Sequence, residues 1–152
     1  MTLPRSFLKI PLAHRGLHDI HEDRPENSRA GILAAIDAGY GIEIDVQLTR
    51  DGRALVFHDD ALQRLTGQEG HVRDRTLAEL SAIRLLGGQD GPADLPEVLA
   101  LVAGRAPLLI EIKDQDGGMG ADIGPLERAV ADAVAGYEGP VAVMSFNSHS
   151  VA

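Results

Sequence analysis

Two short runs limit what this chain can fold into more than any other feature. In Ile42-Glu43-Ile44-Asp45-Val46 the aliphatic residues take the even positions and the carboxylates the odd ones. Leu108, Ile110 and Ile112 alternate in the same way with Glu111 and Lys113. A period of two is the mark of a β-strand, whose successive side chains point to opposite faces of a sheet. Each run therefore makes a strand with one apolar and one charged face. Glu43, Asp45 and Glu111 then point the same way.

The rest of the chain alternates strand-like with helix-like stretches and shows no internal repeat. Residues 10–14 read as a first strand, and residues 25–38 as a helix, with Ile32, Leu33 and Ile36 at helical spacing and Gly39 as the stop. Residues 41–48 form the second strand. A turn at Thr49-Arg50-Asp51-Gly52 leads to a third strand at 53–57. A short helix follows at 76–85, with Thr76 and Glu79 in capping-box register, then another from an Asp94 cap to Leu101. Residues 108–113 give a fourth strand, 122–134 a helix after a glycine-rich loop, and 141–145 a fifth strand. Strands separated by helices predict an α/β fold with a parallel sheet, either doubly wound or a (β/α) barrel.

In a barrel the face turned away from the helices is the interior, and the C-terminal strand ends carry the active site. Unpaired burial of a carboxylate there costs on the order of several kcal/mol. A bound divalent cation is the simplest compensation, and all-oxygen ligands favour hard Mg²⁺ or Ca²⁺ over zinc or copper. The same alternation also suits an antiparallel sheet with one wet face, on which the acids are simply solvated.

Two histidines bear on that choice. His14 ends the first strand and His58 follows the third, both at the end of the sheet that bears the acids, and Arg15 adds a permanent cation. Two imidazoles beside a metal can act as general base and general acid, because their ordinary pKa is about 6.5. Arg15 can hold a phosphate in its fork of donors. A lone histidine is more often structural or merely exposed; a pair at strand ends weakens that objection. Asp59 is placed to orient the His58 ring or to take a metal-bound water, whereas Glu26, in the first turn of its expected helix, is accounted for by the helix dipole.

Charge and composition exclude several partners. With 14 Lys plus Arg against 23 Asp plus Glu, the net charge is −9, which argues against nucleic acid and anionic membranes as partners. An anionic substrate then needs a local cation. The chain has no cysteine, which rules out disulfides, thiolate zinc sites and thiol catalysis. No apolar run approaches the length of a transmembrane segment. Residues 1–12, with Arg5, Lys9 and two prolines, lack the apolar centre of a secretory signal. A cytoplasmic location is the expectation.

An ordered set of motifs carries a family resemblance. Ala13-His14-Arg15-Gly16, Pro25-Glu26-Asn27-Ser28, Glu43-Ile44-Asp45-Val46, Thr49-Arg50-Asp51-Gly52 and Val56-Phe57-His58-Asp59 together resemble the glycerophosphodiester phosphodiesterase family. Glu111-Ile112-Lys113 and Ser145-Phe146-Asn147 are similar to that family's later strand-end motifs, so the likeness runs through essentially the whole chain. It implies a TIM (β/α)8 barrel that hydrolyses small-molecule glycerophosphodiesters to glycerol 3-phosphate and an alcohol with a divalent cation, Mg²⁺ or Ca²⁺. It further implies His14 and His58 as acid and base, and Glu43, Asp45 and Glu111 as metal ligands. Arg15 and Lys113 become phosphate contacts, and Asn27 a residue that shapes the site.

The departures are few. Ser28 stands where threonine is usual, and the link from Gly39 to Glu43 is one residue shorter than the common pattern. A barrel has eight strands and about 250 residues, whereas only about five strands are expected in these 152 residues. The expectation is one domain over residues 1–152, incomplete at its C-terminal end. Its open edges would favour aggregation or homo-oligomers. Two alternatives remain: a related barrel phospholipase acting on lipid phosphodiesters, and a non-catalytic incomplete barrel that binds a partner or a phosphate ligand. An aromatic content of 3% offers no membrane-docking loop, and the presence of both histidines and all three acids argues against loss of catalysis.

Overall fold

The computed structural model describes residues 3–121 and 123–152. Met1 and Thr2 of the N-terminal segment, and Asp122, the expected start of the last helix, lie outside the described residues. Five strands form one sheet: β1 (Leu12–His14), β2 (Gly41–Leu48), β3 (Ala54–Val56), β4 (Leu108–Ile112) and β5 (Val141–Met144). Their order is β1-β2-β4-β5, all parallel, with β3 attached to β2. The helices are α1 (Arg29–Asp37), α2 (Gln63–Thr66), α3 (Leu77–Ser81), α4 (Leu95–Val102) and α5 (Pro125–Val134).

The expected parallel α/β sheet is present and open. β3 differs from its neighbours: it runs antiparallel to β2, with Val46 opposite Val56. The turn explains this. The Thr49 N–H donates to the Arg53 carbonyl, and the Gly52 N–H to the Thr49 carbonyl. So short a connection can only reverse the chain, because a parallel neighbour needs a crossover of roughly a dozen residues or more.

Three helices are shorter than the sequence predicts, and one of them, α5, begins only at Pro125, after Gly124 at φ +141°. Residues 25–28 stay outside α1 because Asn27 has φ +55°, a left-handed conformation that a right-handed helix cannot include. The helix starts after Ser28, whose hydroxyl accepts from the Gly31 N–H. α3 stops at Ser81, although the capping box of Thr76 and Glu79 is formed. Beyond it the Ile83 N–H closes a tighter turn onto the Leu80 carbonyl.

The even-numbered residues of the alternating strands make the core. Ile42, Ile44, Val46, Leu108 and Ile110 are fully buried against Ile32 of α1, Leu95 and Val98 of α4 and Leu126 of α5. Each such side chain contributes about 1.5–3 kcal/mol. A second cluster gathers Leu55 and Phe57 with Leu62, Leu65, Val72 and Leu80, so both sides of the β3 segment are anchored. Among the described residues no helix is long and apolar enough to cross a membrane.

Gly16, just past β1, holds the start of α1 against the strand end. Its φ is +78°, and a Cβ there would lie 2.9 Å from the backbone carbon of Gly31. The adjacent Leu17 N–H donates to the Gly31 carbonyl at 2.9 Å. Gly16→Ala is therefore expected to destabilise the fold by about 1–3 kcal/mol from backbone strain alone, read as a lower urea midpoint. An unchanged midpoint would show that α1 can move aside without cost.

Candidate active site

The strand register assembles the acids. In the β1–β2 pair His14 lies opposite Glu43, and in the β2–β4 pair Asp45 lies opposite Glu111. One carboxylate oxygen from each of Glu43, Asp45 and Glu111 falls within 4.8 Å of the others. All three residues are buried, with 7%, 0% and 7% of their surface exposed respectively. Burial decides against the solvated wet face, because these carboxylates lie in the interior even though the sheet is open.

Buried charges need partners, and three residues supply them. The Arg15 backbone N–H donates to Glu43 Oε2 at 2.9 Å. Asn27, itself 2% exposed, donates through Nδ2 to Asp45 Oδ2 at 2.8 Å and accepts from the Asp45 N–H at 3.3 Å. Lys113 Nζ lies 2.8 Å from Asp45 Oδ1 and 2.6 Å from Glu111 Oε1. Arg15 Nε is 3.4 Å from Asp45 Oδ2. Arg15 and Asn27 both have positive φ, 58° and 55°, a strain of about 1–3 kcal/mol each that surrounding structure must hold in place. The Asn27 N–H to Arg15 carbonyl bond, 2.8 Å, ties the two together.

The carboxylates are electrostatically unequal. Burial pushes Glu43 up to about 7, with the negative charges of Asp45 and Glu111 adding to the rise against the Arg15 N–H and Lys113. Burial also opposes ionisation of Asp45, but the Lys113 ammonium and the Asn27 amide outweigh it and hold that carboxyl below its usual range.

His14 and His58 differ in setting. His14 is open to solvent, its side chain 69% exposed, and its Nε2 is 3.9 Å from Glu43 Oε2. His58 is held more firmly. Its Nδ1 pairs with Asp59 Oδ1 at 2.7 Å, its carbonyl accepts from Gln47 Nε2 at 2.9 Å, and the preceding Phe57 N–H donates to the Asp45 carbonyl. Asp59 thus orients the imidazole, as its position in the sequence suggests.

Seven of the eight expected site residues lie in the C-terminal half of a strand, just beyond it or in the loop before α1, while Glu43 is the third residue of β2; the contacts above join all but His58 around the acids. His58 enters through the Asp45 carbonyl that anchors Phe57. Lys113, expected at a phosphate, is paired here with two of the acids. Glu26 also needs a new account, because it lies outside the helix. It accepts from Arg15 Nη1 at 2.9 Å and from Arg64 Nη1 and Nη2, both at 2.8 Å. Arg64 was invisible in the sequence. It sits on a four-residue helix, 38 positions from Glu26, and no local pattern links the two.

The donor set fits a hard divalent cation: three buried carboxylates converge with no nitrogen or sulfur among them. A single ammonium, Lys113, counters two of them.

Comparison with known proteins agrees with this geometry. Residues 14–150 match the Glycerophosphoryl diester phosphodiesterase family. A glycerophosphodiester phosphodiesterase of Caldanaerobacter subterraneus is 36% identical, over 93% of this chain and 60% of its own length. Among solved structures, an Oleispira antarctica phosphodiesterase in complex with the product sn-glycerol-3-phosphate has a TM-score of 0.78 at 27% identity, covering 96% of this chain and 62% of that one. A Thermotoga maritima glycerophosphodiester phosphodiesterase has a TM-score of 0.73 at 30% identity, covering 93% and 56%. The chain spans about half the length of the relatives it matches, 43% and 60% for two of them. These neighbours are TIM barrels, and the open sheet described here corresponds to an incomplete one.

Proposed function

The chain belongs to the glycerophosphoryl diester phosphodiesterase family, and from that premise we propose that it carries the catalytic strand ends of an enzyme that hydrolyses glycerophosphodiesters to glycerol 3-phosphate and an alcohol. The observation that carries this reading is the convergence of three buried carboxylates within 4.8 Å at adjacent parallel strands.

In the proposed mechanism Glu43, Asp45 and Glu111 hold Mg²⁺ or Ca²⁺. When bound, such an ion supplies a fixed positive charge against the phosphoryl oxygens as charge builds on them. Arg15 offers its guanidinium fork to the phosphate while Glu26 fixes its orientation. Lys113, poised over Asp45 and Glu111, is the second cation within reach of a phosphoryl oxygen. Asn27 sets the rotamer of Asp45 from both its amide ends. Of the two imidazoles, one takes the proton from the attacking hydroxyl and the other returns a proton to the departing alkoxide; attack by water gives glycerol 3-phosphate directly, and attack by the glycerol 2-hydroxyl gives a cyclic phosphate that water then opens. The exposed His14 suits exchange with solvent, and the Asp59-held His58 suits a fixed proton-transfer geometry.

Purified enzyme incubated with glycerophosphocholine tests the reading. Release of glycerol 3-phosphate that needs a divalent cation is the expected result. No release of it in the presence of either cation, or cleavage confined to intact lipid phosphodiesters, would overturn the assignment.

A further inference from the structure

We infer that Arg64 is a positioning residue that locks the phosphate-holding and proton-transferring parts of the site to each other; the inference rests on the hydrolase reading above. Arg64 makes two forks at once. Toward one side, Nη1 and Nη2 meet Glu26 Oε2 and Oε1, both at 2.8 Å. Toward the other, Nε and Nη2 meet Asp59 Oδ2 and Oδ1 at 2.7 and 2.8 Å. Glu26 Oε1 also accepts from Arg15 Nη1 at 2.9 Å, and Asp59 Oδ1 pairs with His58 Nδ1 at 2.7 Å. The result is an unbroken chain, His58–Asp59–Arg64–Glu26–Arg15, in which charges alternate in sign from Asp59 to Arg15. None of its links lies within the carboxylate cluster.

The chain has chemical consequences at both ends. Arg64 hydrogen bonds, working against partial burial and helped by His58, bring the Asp59 carboxyl down to about 2. An ionised carboxylate only accepts, so His58 Nδ1 must carry a proton and donate it to Asp59, which leaves Nε2 as the nitrogen that faces away from this pair. At the other end Glu26 lies in the loop before α1, outside any helix that would hold it. Burial opposes its charge, but Arg64 and then Arg15 outweigh that and hold it below the usual carboxylate range. Without Arg64, Glu26 keeps Arg15 as its cation, and the Arg15 guanidinium loses the counter-force that sets its angle. Asp59 likewise loses the fork that fixes its plane, and His58 loses its tautomer lock.

Only a planar guanidinium can satisfy two carboxylates this way. A lysine ammonium supplies the charge as a point and cannot form two forks together. The test is to compare Arg64→Ala and Arg64→Lys with the parent enzyme, measuring kcat and KM on glycerophosphocholine and the ¹⁵N-imidazole NMR signals of His58 in the resting protein. Both variants are expected to lose about 10–100-fold in kcat, the range for residues that orient catalytic ligands. KM should rise through Arg15, and His58 should shift from one tautomer to a mixture. Restoration of kcat by lysine would reduce Arg64 to a mere charge and overturn the inference. So would a kcat within twofold of the parent in either variant, or a loss of kcat with the His58 signals unchanged. If Arg64→Ala does not fold, Arg64→Lys carries the comparison. A parent enzyme without glycerophosphodiester hydrolysis would defeat the functional reading, while the NMR signals still decide the role of Arg64.

Discussion

His58→Ala is expected to lower kcat for glycerophosphodiester hydrolysis by about 10²–10⁴-fold, the usual contribution of a positioned acid or base, while leaving the fold intact. The segment around His58 is anchored by its backbone: the Phe57 N–H bonds the Asp45 carbonyl and Gln47 holds the His58 carbonyl. Phe57 is 1% exposed and packed with Leu55, Leu62 and Leu80. Removing the partly exposed ring leaves those contacts untouched, so circular dichroism and the unfolding midpoint should change little. The ring itself is what Asp59 orients. Residual turnover within tenfold of the parent would remove His58 from the mechanism.

Removing the cation, or the centre of its cradle, should have an equally large effect. Treatment with a chelator is expected to silence hydrolysis, and added Mg²⁺ or Ca²⁺ to restore it. Asp45→Asn is expected to resist that restoration, because Asp45 is fully buried between Asn27 and Lys113 and opposite Glu111. Binding also registers in stability, since a ligand that binds only the native state stabilises it by about 2.7 kcal/mol at 100 times its Kd. Thermal unfolding of the parent should therefore move up with divalent cation, and that of Asp45→Asn should not. Full activity after exhaustive chelation, or an equal thermal shift in both proteins, would end the metal assignment.

Several parts of this molecule follow from local rules that a sequence displays openly. Residue parity in β2 and β4 put Ile42, Ile44 and Ile110 in the core and the three acids on the opposite face, because side chains alternate with a period of two whatever surrounds the strand. The caps at Thr76 and Asp94 formed for the same reason: a side chain meets a backbone N–H three residues away. Position at the strand ends adds His14, Arg15 and His58 to the same neighbourhood, and the family motifs add Asn27. Asn27 also marks where local reading fails. Apolar spacing carries a helix through residues 25–28, but the bonds of Asn27 to Asp45 and Arg15 hold its backbone left-handed and delay the helix start to Arg29.

The sequence by itself determined where the five strands lie to within one or two residues at their ends, which faces of β2 and β4 are apolar, and that the acids share one side, since each depends on neighbours within a few positions. Only the tertiary structure decided that those acids are buried, that Lys113 lies between two of them, and that Arg64 joins Glu26 to Asp59. Those outcomes depend on where separate segments come to rest. A salt bridge across 38 residues leaves no period in the sequence, because its energy depends on distance and solvent exposure in three dimensions.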